Sequence, residues 1–478
     1  MDHSVISWID LVIIGLYLVV MLGVGVWFVR RIKGEDDFYV AGRSLGPVVI
    51  MATVCATIVG GSAMMGRAGK AYNEGFTCVM TALPYLIGMY IFSGIAGRIH
   101  LVGKQYNVTS IPDLFRIRFG RTAQILLSVL IALVMMGTVA AQVSATATIF
   151  NMVGGNIGLS YELAAVIATA IFIIYTAASG LFGVVYTDVV QFFMLLIFVY
   201  ILIPIRGTAA AGGFSGFLAH LDPAYVKPTF NGKILSDIVT YLVFTLAGAE
   251  MWQRAFAAKD KKTAKRGTFL GTAIYMVTIG LIFYMGLLGR QLLPDVAAKY
   301  GTTDAVVPGL AIEILPVGLT GLALAGMLSV MMSTADSYLL VAVQTCIHDV
   351  GKTIRPDMSE KRELLLSRVF TVVLAVGALI VALYVKSVYS IITGSWSYYA
   401  AAAGFPALAA LYWKKATTPG VLSALVGGLA VTGIWNLLGT PFGLGATVPG
   451  AIASGALLVL VSLATCKKHP SKVLTFEE

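Results

Sequence analysis

Apolar stretches of about 20 residues, the length that carries a helix across the hydrocarbon core of a bilayer, follow one another along almost the whole chain. Lipid leaves an unpaired backbone group unsatisfied at several kcal/mol, so each stretch must form a helix. Suitable stretches start near residues 8, 47, 75, 122, 160, 183, 234, 268, 315, 364, 388, 418 and 446, which predicts an all-α integral membrane protein of about thirteen spans. Composition agrees. Apolar residues make up 58% and charged residues 12% of the chain, against about half and a quarter in soluble proteins. The 478 residues therefore read as one transmembrane domain, 1–478. The first stretch, Ser7 to Val29, lacks a basic leader and ends in Arg30 and Arg31, as a retained span does and a signal peptide does not.

The net charge of +10 is spread in short clusters between apolar stretches, a pattern of membrane topology and not of nucleic-acid binding. With the N-terminus outside, Arg30/Arg31/Lys33, Arg116/Arg118/Arg121, Lys259 to Arg266, Lys352 to Arg368, Lys414/Lys415 and Lys467/Lys468 all fall on one side. By the positive-inside rule that side is the cytoplasm. The expectation is a multi-pass protein of the cell (inner) membrane with its C-terminus inside. Outer segments 206–233 and 290–314 are long enough for short amphipathic lids, and the tail PSKVLTFEE is given no role. Cys55, Cys78, Cys346 and Cys466 have no CxxC spacing, so neither a disulfide framework nor a zinc site is expected. Oligomeric state is not encoded in any of these features.

Two spans carry interruptions. The second, ATVCATIVGGSAMMGRAGKAY, has Gly60 and Gly61 near its middle, and the seventh, YLVFTLAGAEMWQRAF, has Gly248 at similar depth. Broken helices at corresponding places are the mark of an inverted repeat whose site lies at the midplane. The two lie five apart in order. The alternative is that glycine here only lets neighbouring helices pack closely.

The ninth span, GLALAGMLSVMMSTADSYLLVAVQT, carries Ser333, Thr334, Asp336 and Ser337, and positions 330, 333, 334 and 337 share a helix face. A hard cation such as sodium takes oxygen ligands; hydroxyls of this face and carbonyls freed near residues 56–59 would supply them. A carboxylate at the bilayer centre costs roughly 2.5–3.5 kcal/mol on insertion scales and marks function by default. Asp336 is one such acid, and Asp188 in VVYTDVVQFF is another. The alternative is that the hydroxyls bond back to their own helix and the acids face an aqueous cavity. Glu250 is a third acid at this depth, with Arg254 at i+4 as its expected partner.

Enzyme chemistry finds no foothold, since the sequence contains no HExxH, no GxSxG and no phosphate-binding glycine loop, and its five histidines lie near span ends or in loops. A sensor derived from a transporter would need a soluble output domain. An uncoupled facilitator and a proton-coupled carrier remain open.

DDFYVAGRSLG after the first span, YTAASGLFGVVYTDVVQ entering the sixth, WQRAFAAKDKKTAKR leaving the seventh and MLSVMMSTADSYLL in the ninth together resemble the signatures of the sodium/solute symporter family, in the family's order and across nearly the whole chain. The resemblance implies a leucine-transporter-like fold: an extra first span (1–33), a first repeat (47–207), an inverted second repeat (234–413), and two last spans with the tail (414–478). It implies a sodium-coupled symporter that imports a small organic solute by alternating access, with sodium, the solute and the lipid bilayer as its partners and Na+ as its coupling ion. The implied main sodium ligands are the carbonyls of Ala56, Val59 and Val330 and the hydroxyls of Ser333 and Thr334. A second cation, found in some members, would use Asp188, Ser333, Asp336 and Ser337. Aspartate at 336 departs from those members' serine, so that a proton could replace the second ion. Ile58 stands where proline carriers place an aspartate.

The same resemblance puts the solute beside the sodium, near the two broken helices and spans three, four and eleven. Tyr241, Phe244 and Thr245 precede the seventh-span break, Thr138 and Gln142 share a face of the fourth span, and Trp396 and Tyr399 lie in the eleventh. Arg67, about two turns outward of Gly60, is placed to grip a carboxylate bidentately, which points to an organic anion. The alternative is that Arg67 and Lys70 snorkel to the outer interface.

Overall fold

A computed structural model describes residues 6–28, 40–155, 158–385 and 387–474 of the chain. The basic cluster at 30, 31 and 33, the DDFY portion of the first signature and residues 475–478 lie outside the described residues.

The first half comprises α1 (Trp8–Phe28), α2 (Pro47–Ile58), α3 (Arg67–Glu74), α4 (Thr77–Gln105), α5 (Ile111–Phe119), α6 (Arg121–Gly154), α7 (Tyr161–Met194) and α8 (Leu202–Ala210). Within the segment 206–233 the chain then forms the short helix α9 (Gly213–Ala219). The second half opens with α10 (Gly232–Ala247), α11 (Ala249–Ala257) and α12 (Lys261–Leu292), and the segment that follows folds into α13 (Val296–Tyr300) and α14 (Val306–Ile314). It ends with α15 (Leu319–Gln344), α16 (Glu360–Tyr384), α17 (Val388–Tyr412), α18 (Thr418–Leu437) and α19 (Thr447–Thr465). No strand forms among the described residues. A single parallel bridge joins Leu45 to Ala258 and pins together the entry to α2 and the exit from α11.

Nine helices among the described residues are long and apolar enough to cross a membrane, or ten when the bent pair α2/α3 counts as one span. The count of about thirteen rests on further elements that are shorter or less apolar: α1, the first part of α7, and α17. Residues 160 and 183 start separate spans. Tyr175 and Thr187 meet by their hydroxyls, whereas twelve residues of straight helix would hold them about 18 Å apart; the two parts of α7 therefore fold against each other.

Burial separates centre from rim. The apolar stretch of α15 is buried throughout, and that of α16 only 22%, so α15 is the axis and α16 faces lipid. Leu133, Val190, Val373 and Leu460, all more than half exposed, belong to that lipid-facing rim. Asp10 of α1 accepts from the backbone N–H groups of Gly318 and Gly321, at 2.7 and 2.8 Å. Its carboxylate thus caps the N-terminus of α15, where the helix dipole favours negative charge.

Candidate functional site

The second span breaks where the sequence places its glycines. α2 ends at Ile58, Val59 leaves helical geometry (φ −88°, ψ 30°), and the chain resumes at an angle of 54°. A Cβ on Gly60 would lie 2.6 Å from both Oγ1 and Cγ2 of Thr334, so only glycine lets α15 approach this closely. The Gly61 N–H freed by the break donates to Gln142 Oε1 at 2.7 Å, satisfying a group that lipid could not. The Thr334 hydroxyl donates to the Ala56 carbonyl at 3.4 Å. Val59 at the break and Val330, one turn before Thr334, are buried beside it.

Ser333 points to the neighbouring helix and donates to Asp188 Oδ1. Asp188 Oδ2 accepts from Thr53 and faces Arg254 Nη2 at 3.9 Å. Arg254 also donates to Thr53 at 3.2 Å, to Ser337 at 2.8 Å, to Thr57, and to the Glu250 carbonyl at 3.0 Å. Of the four positions implied for a second cation, Asp188 and Ser333 are in direct contact and Ser337 joins them through Arg254. Asp336 bonds instead to Thr176 of α7, and its Oδ2 has no hydrogen-bond partner. The i+4 pairing of the Glu250 and Arg254 side chains is not formed: Arg254 reaches across to Asp188, while Glu250 turns toward Gly248 and accepts from Tyr338 at 3.5 Å.

Past the break, Arg67 is 4% exposed and does not snorkel. Its guanidinium lies 4.4 Å from the Tyr241 ring centre and 5.7 Å from that of Tyr85, and Nη1 has no hydrogen-bond partner. Trp396 stacks on Phe244 at 3.9 Å, packs against both tyrosines, and donates its indole N–H to Thr138 at 3.0 Å. Tyr399 closes the same wall through the Ala247 carbonyl at 2.6 Å, the last before Gly248 (φ −57°, ψ 112°) interrupts the seventh span. Thr245 bonds back to Leu242 and lies against Gly88. One turn above Arg67, Lys70 pairs with Asp237 at 3.0 Å and with the Tyr389 hydroxyl at 2.7 Å.

The break thus gathers hydroxyl and carbonyl oxygens able to desolvate a hard cation, next to an aromatic box holding one incompletely bonded cationic side chain. Sequence reading missed Thr53, Thr57, Thr176 and Tyr85. The i, i+4 spacing of Thr53 and Thr57 on a broken helix was the available signal.

The profile of the Sodium:solute symporter family matches residues 38–428. The sodium/pantothenate symporter of Escherichia coli (strain K12) is 28% identical over 86% of this chain and 87% of its own length. The osmoregulated proline transporter of Bacillus subtilis (strain 168) is 26% identical over 96% of this chain and 95% of its own. A Na+-coupled sialic acid symporter solved in a substrate-bound outward-open state superposes with a TM-score of 0.83 at 19% identity, over 98% of this chain and 100% of that one, and so shares its fold. Residues 38–428 span both broken helices and the Thr334 contact, and the chain belongs to the sodium:solute symporter family.

Proposed function

We propose that this symporter imports a small carboxylate-bearing solute, held by Arg67, together with a sodium ion at the α2 break. The observation that carries the reading is the buried Arg67 Nη1 without a hydrogen-bond partner. A buried cationic donor left unbonded is costly, and a carboxylate would complete it bidentately. Tyr85, Tyr241, Phe244 and Trp396 would enclose the solute's apolar part, with Thr138, Gln142, Thr245 and Tyr399 completing the walls. Ala56, Val59, Val330, Ser333 and Thr334 would ligate the sodium. Both sites share the broken helix, which is how ion binding would favour solute binding during alternating access. The basic clusters support an outside N-terminus and a cytoplasmic C-terminus in the inner membrane.

Each charge moving inward across 100 mV releases roughly 2.3 kcal/mol, enough with an inward sodium gradient to concentrate a solute against its own. The test is a thermal-shift screen of small carboxylates and their amides, with sodium or with choline. Acids should raise the melting point only with sodium, and amides should not. Equal stabilisation by an acid and its amide removes the role given to Arg67. A proton as a second coupling ion is favoured by one observation, the Asp336 oxygen without a partner; Asp336→Asn should then flatten the pH dependence of sodium-driven uptake.

A further inference from the structure

At the inner end of α15 the helix widens into a π-turn, Thr345–Gly351, a distortion frequent at functional positions. This turn presents His348 and Asp349 to Asp113 of α5, more than 230 residues away in sequence. One ligand atom from each of the three lies within 4.8 Å of the other two. His348 Nε2 stands 3.4 Å from Asp113 Oδ2. That is long for a charge-assisted hydrogen bond but close to the separation of about 3.3 Å between two ligands of one tetrahedral zinc ion, given metal–ligand bonds of about 2.0–2.1 Å.

A second observation points to a ligand. Asp349 is fully buried, and while its Oδ1 accepts from Ser110 at 2.7 Å, its Oδ2 has no hydrogen-bond partner. The surroundings also hold each of the three residues in place. His348 Nδ1 faces Glu363 Oε1 at 3.2 Å, the carboxylate–histidine arrangement that orients metal-ligating imidazoles. Asp113 is held by the Thr109 hydroxyl at 3.2 Å, and Lys352 supports Glu363 at 2.8 Å. The Thr109 hydroxyl, 3.5 Å from His348 Nε2, is a neutral neighbour. Three carboxylates, those of Asp113, Asp349 and Glu363, face the two cations Arg116 and Lys352.

We propose that Asp113, His348 and Asp349 form a binding site for a divalent transition metal of the zinc type. The imidazole and the small ligand number select against magnesium and calcium, which want more oxygens. Three protein ligands leave one coordination position for water. The bound ion ties α5, the inner end of α15 and, through Glu363, the start of α16, so it braces the cytoplasmic face beneath the transport site.

Tag-free protein in lipid nanodiscs is titrated with Zn2+ alone by calorimetry, and with Co2+ while visible absorption is recorded. One Zn2+ should bind per chain, millimolar Mg2+ should not displace it, and binding should weaken as protons compete at lower pH. Co2+ should give the intense bands of a four- or five-coordinate site. His348→Gln and Asp349→Asn should each lower affinity at least tenfold with unchanged melting points in metal-free buffer, and Glu363→Gln should lower it roughly 10- to 100-fold. The Co2+ spectrum of the unaltered protein decides the matter should a variant fail to fold. Only the weak bands of the hydrated Co2+ ion, displacement by Mg2+, or unchanged Zn2+ affinity in folded His348→Gln and Asp349→Asn would each overturn the site.

Discussion

Two arginines lie buried at the broken helices, and they are bonded in opposite ways. Arg254, in the helix that follows Gly248, meets a carboxylate, three hydroxyls and a backbone carbonyl. Arg67, in the helix that follows the Gly60/Gly61 break, meets the faces of two tyrosines and keeps one donor nitrogen unpartnered. The first is satisfied by the protein itself; the second keeps a buried donor that the proposed carboxylate would complete. Burial alone therefore does not distinguish a structural cation from a binding one, and the count of hydrogen-bond partners does.

The largest effect should come from Arg254→Met, which strands Asp188 as an uncompensated buried charge at a cost of about 3–5 kcal/mol. Its melting point should fall far more than that of any Arg67 variant, and the reverse order breaks the contrast. In the same variant, sodium should restore stability more steeply than in the unaltered protein, because Asp188 becomes free to accept a cation. Arg67→Gln comes next: affinity for the best carboxylate should drop roughly 10- to 100-fold, in line with losing a charged hydrogen bond of about 1.5–3 kcal/mol, while the ligand-free melting point stays put. Thr334→Ala should raise the half-saturating sodium concentration about two- to tenfold in thermal titration, and Ser333→Ala should do so while also loosening Asp188. No change in either argues against the ion site.

The smallest effect concerns Asp304, in the segment between α13 and α14. It accepts from the Val388 N–H at 3.0 Å, and burial raises its carboxyl to about 6. An acid that is raised on folding favours the folded state while protonated and loses that preference as pH rises from the ordinary carboxylate value, near 4, to about 6. Asp304→Asn should match the unaltered melting point below pH 4 and exceed it slightly above pH 6.

What was legible in the sequence was whatever is encoded within one helix. Gly60, Gly61 and Gly248 announce their breaks because lipid forbids an interrupted backbone without a reason, and the hydroxyl face of α15 follows from helical periodicity. Long-range pairings were not legible. Glu250 and Arg254 sit at ideal i+4 spacing, yet the arginine spans the interior to Asp188, where Thr53, Thr57 and Ser337 also accept from it and give its fork more partners than the local pair offers. His348 looked like one more span-end histidine until the fold set Asp113 against it. The length of α17 was readable, but its Ser-, Gly- and Tyr-rich stretch keeps it below the apolarity of a lipid-facing span because it lines the interior.

Asp10 is not part of the candidate site, yet it grips the N-terminal end of the helix that bears Thr334. The opening span is thus a strut bolted to the carrier's most central element. During the conformational cycle the two should travel as one rigid piece, with reporter groups on α1 and α15 keeping a constant spacing while hinging happens elsewhere.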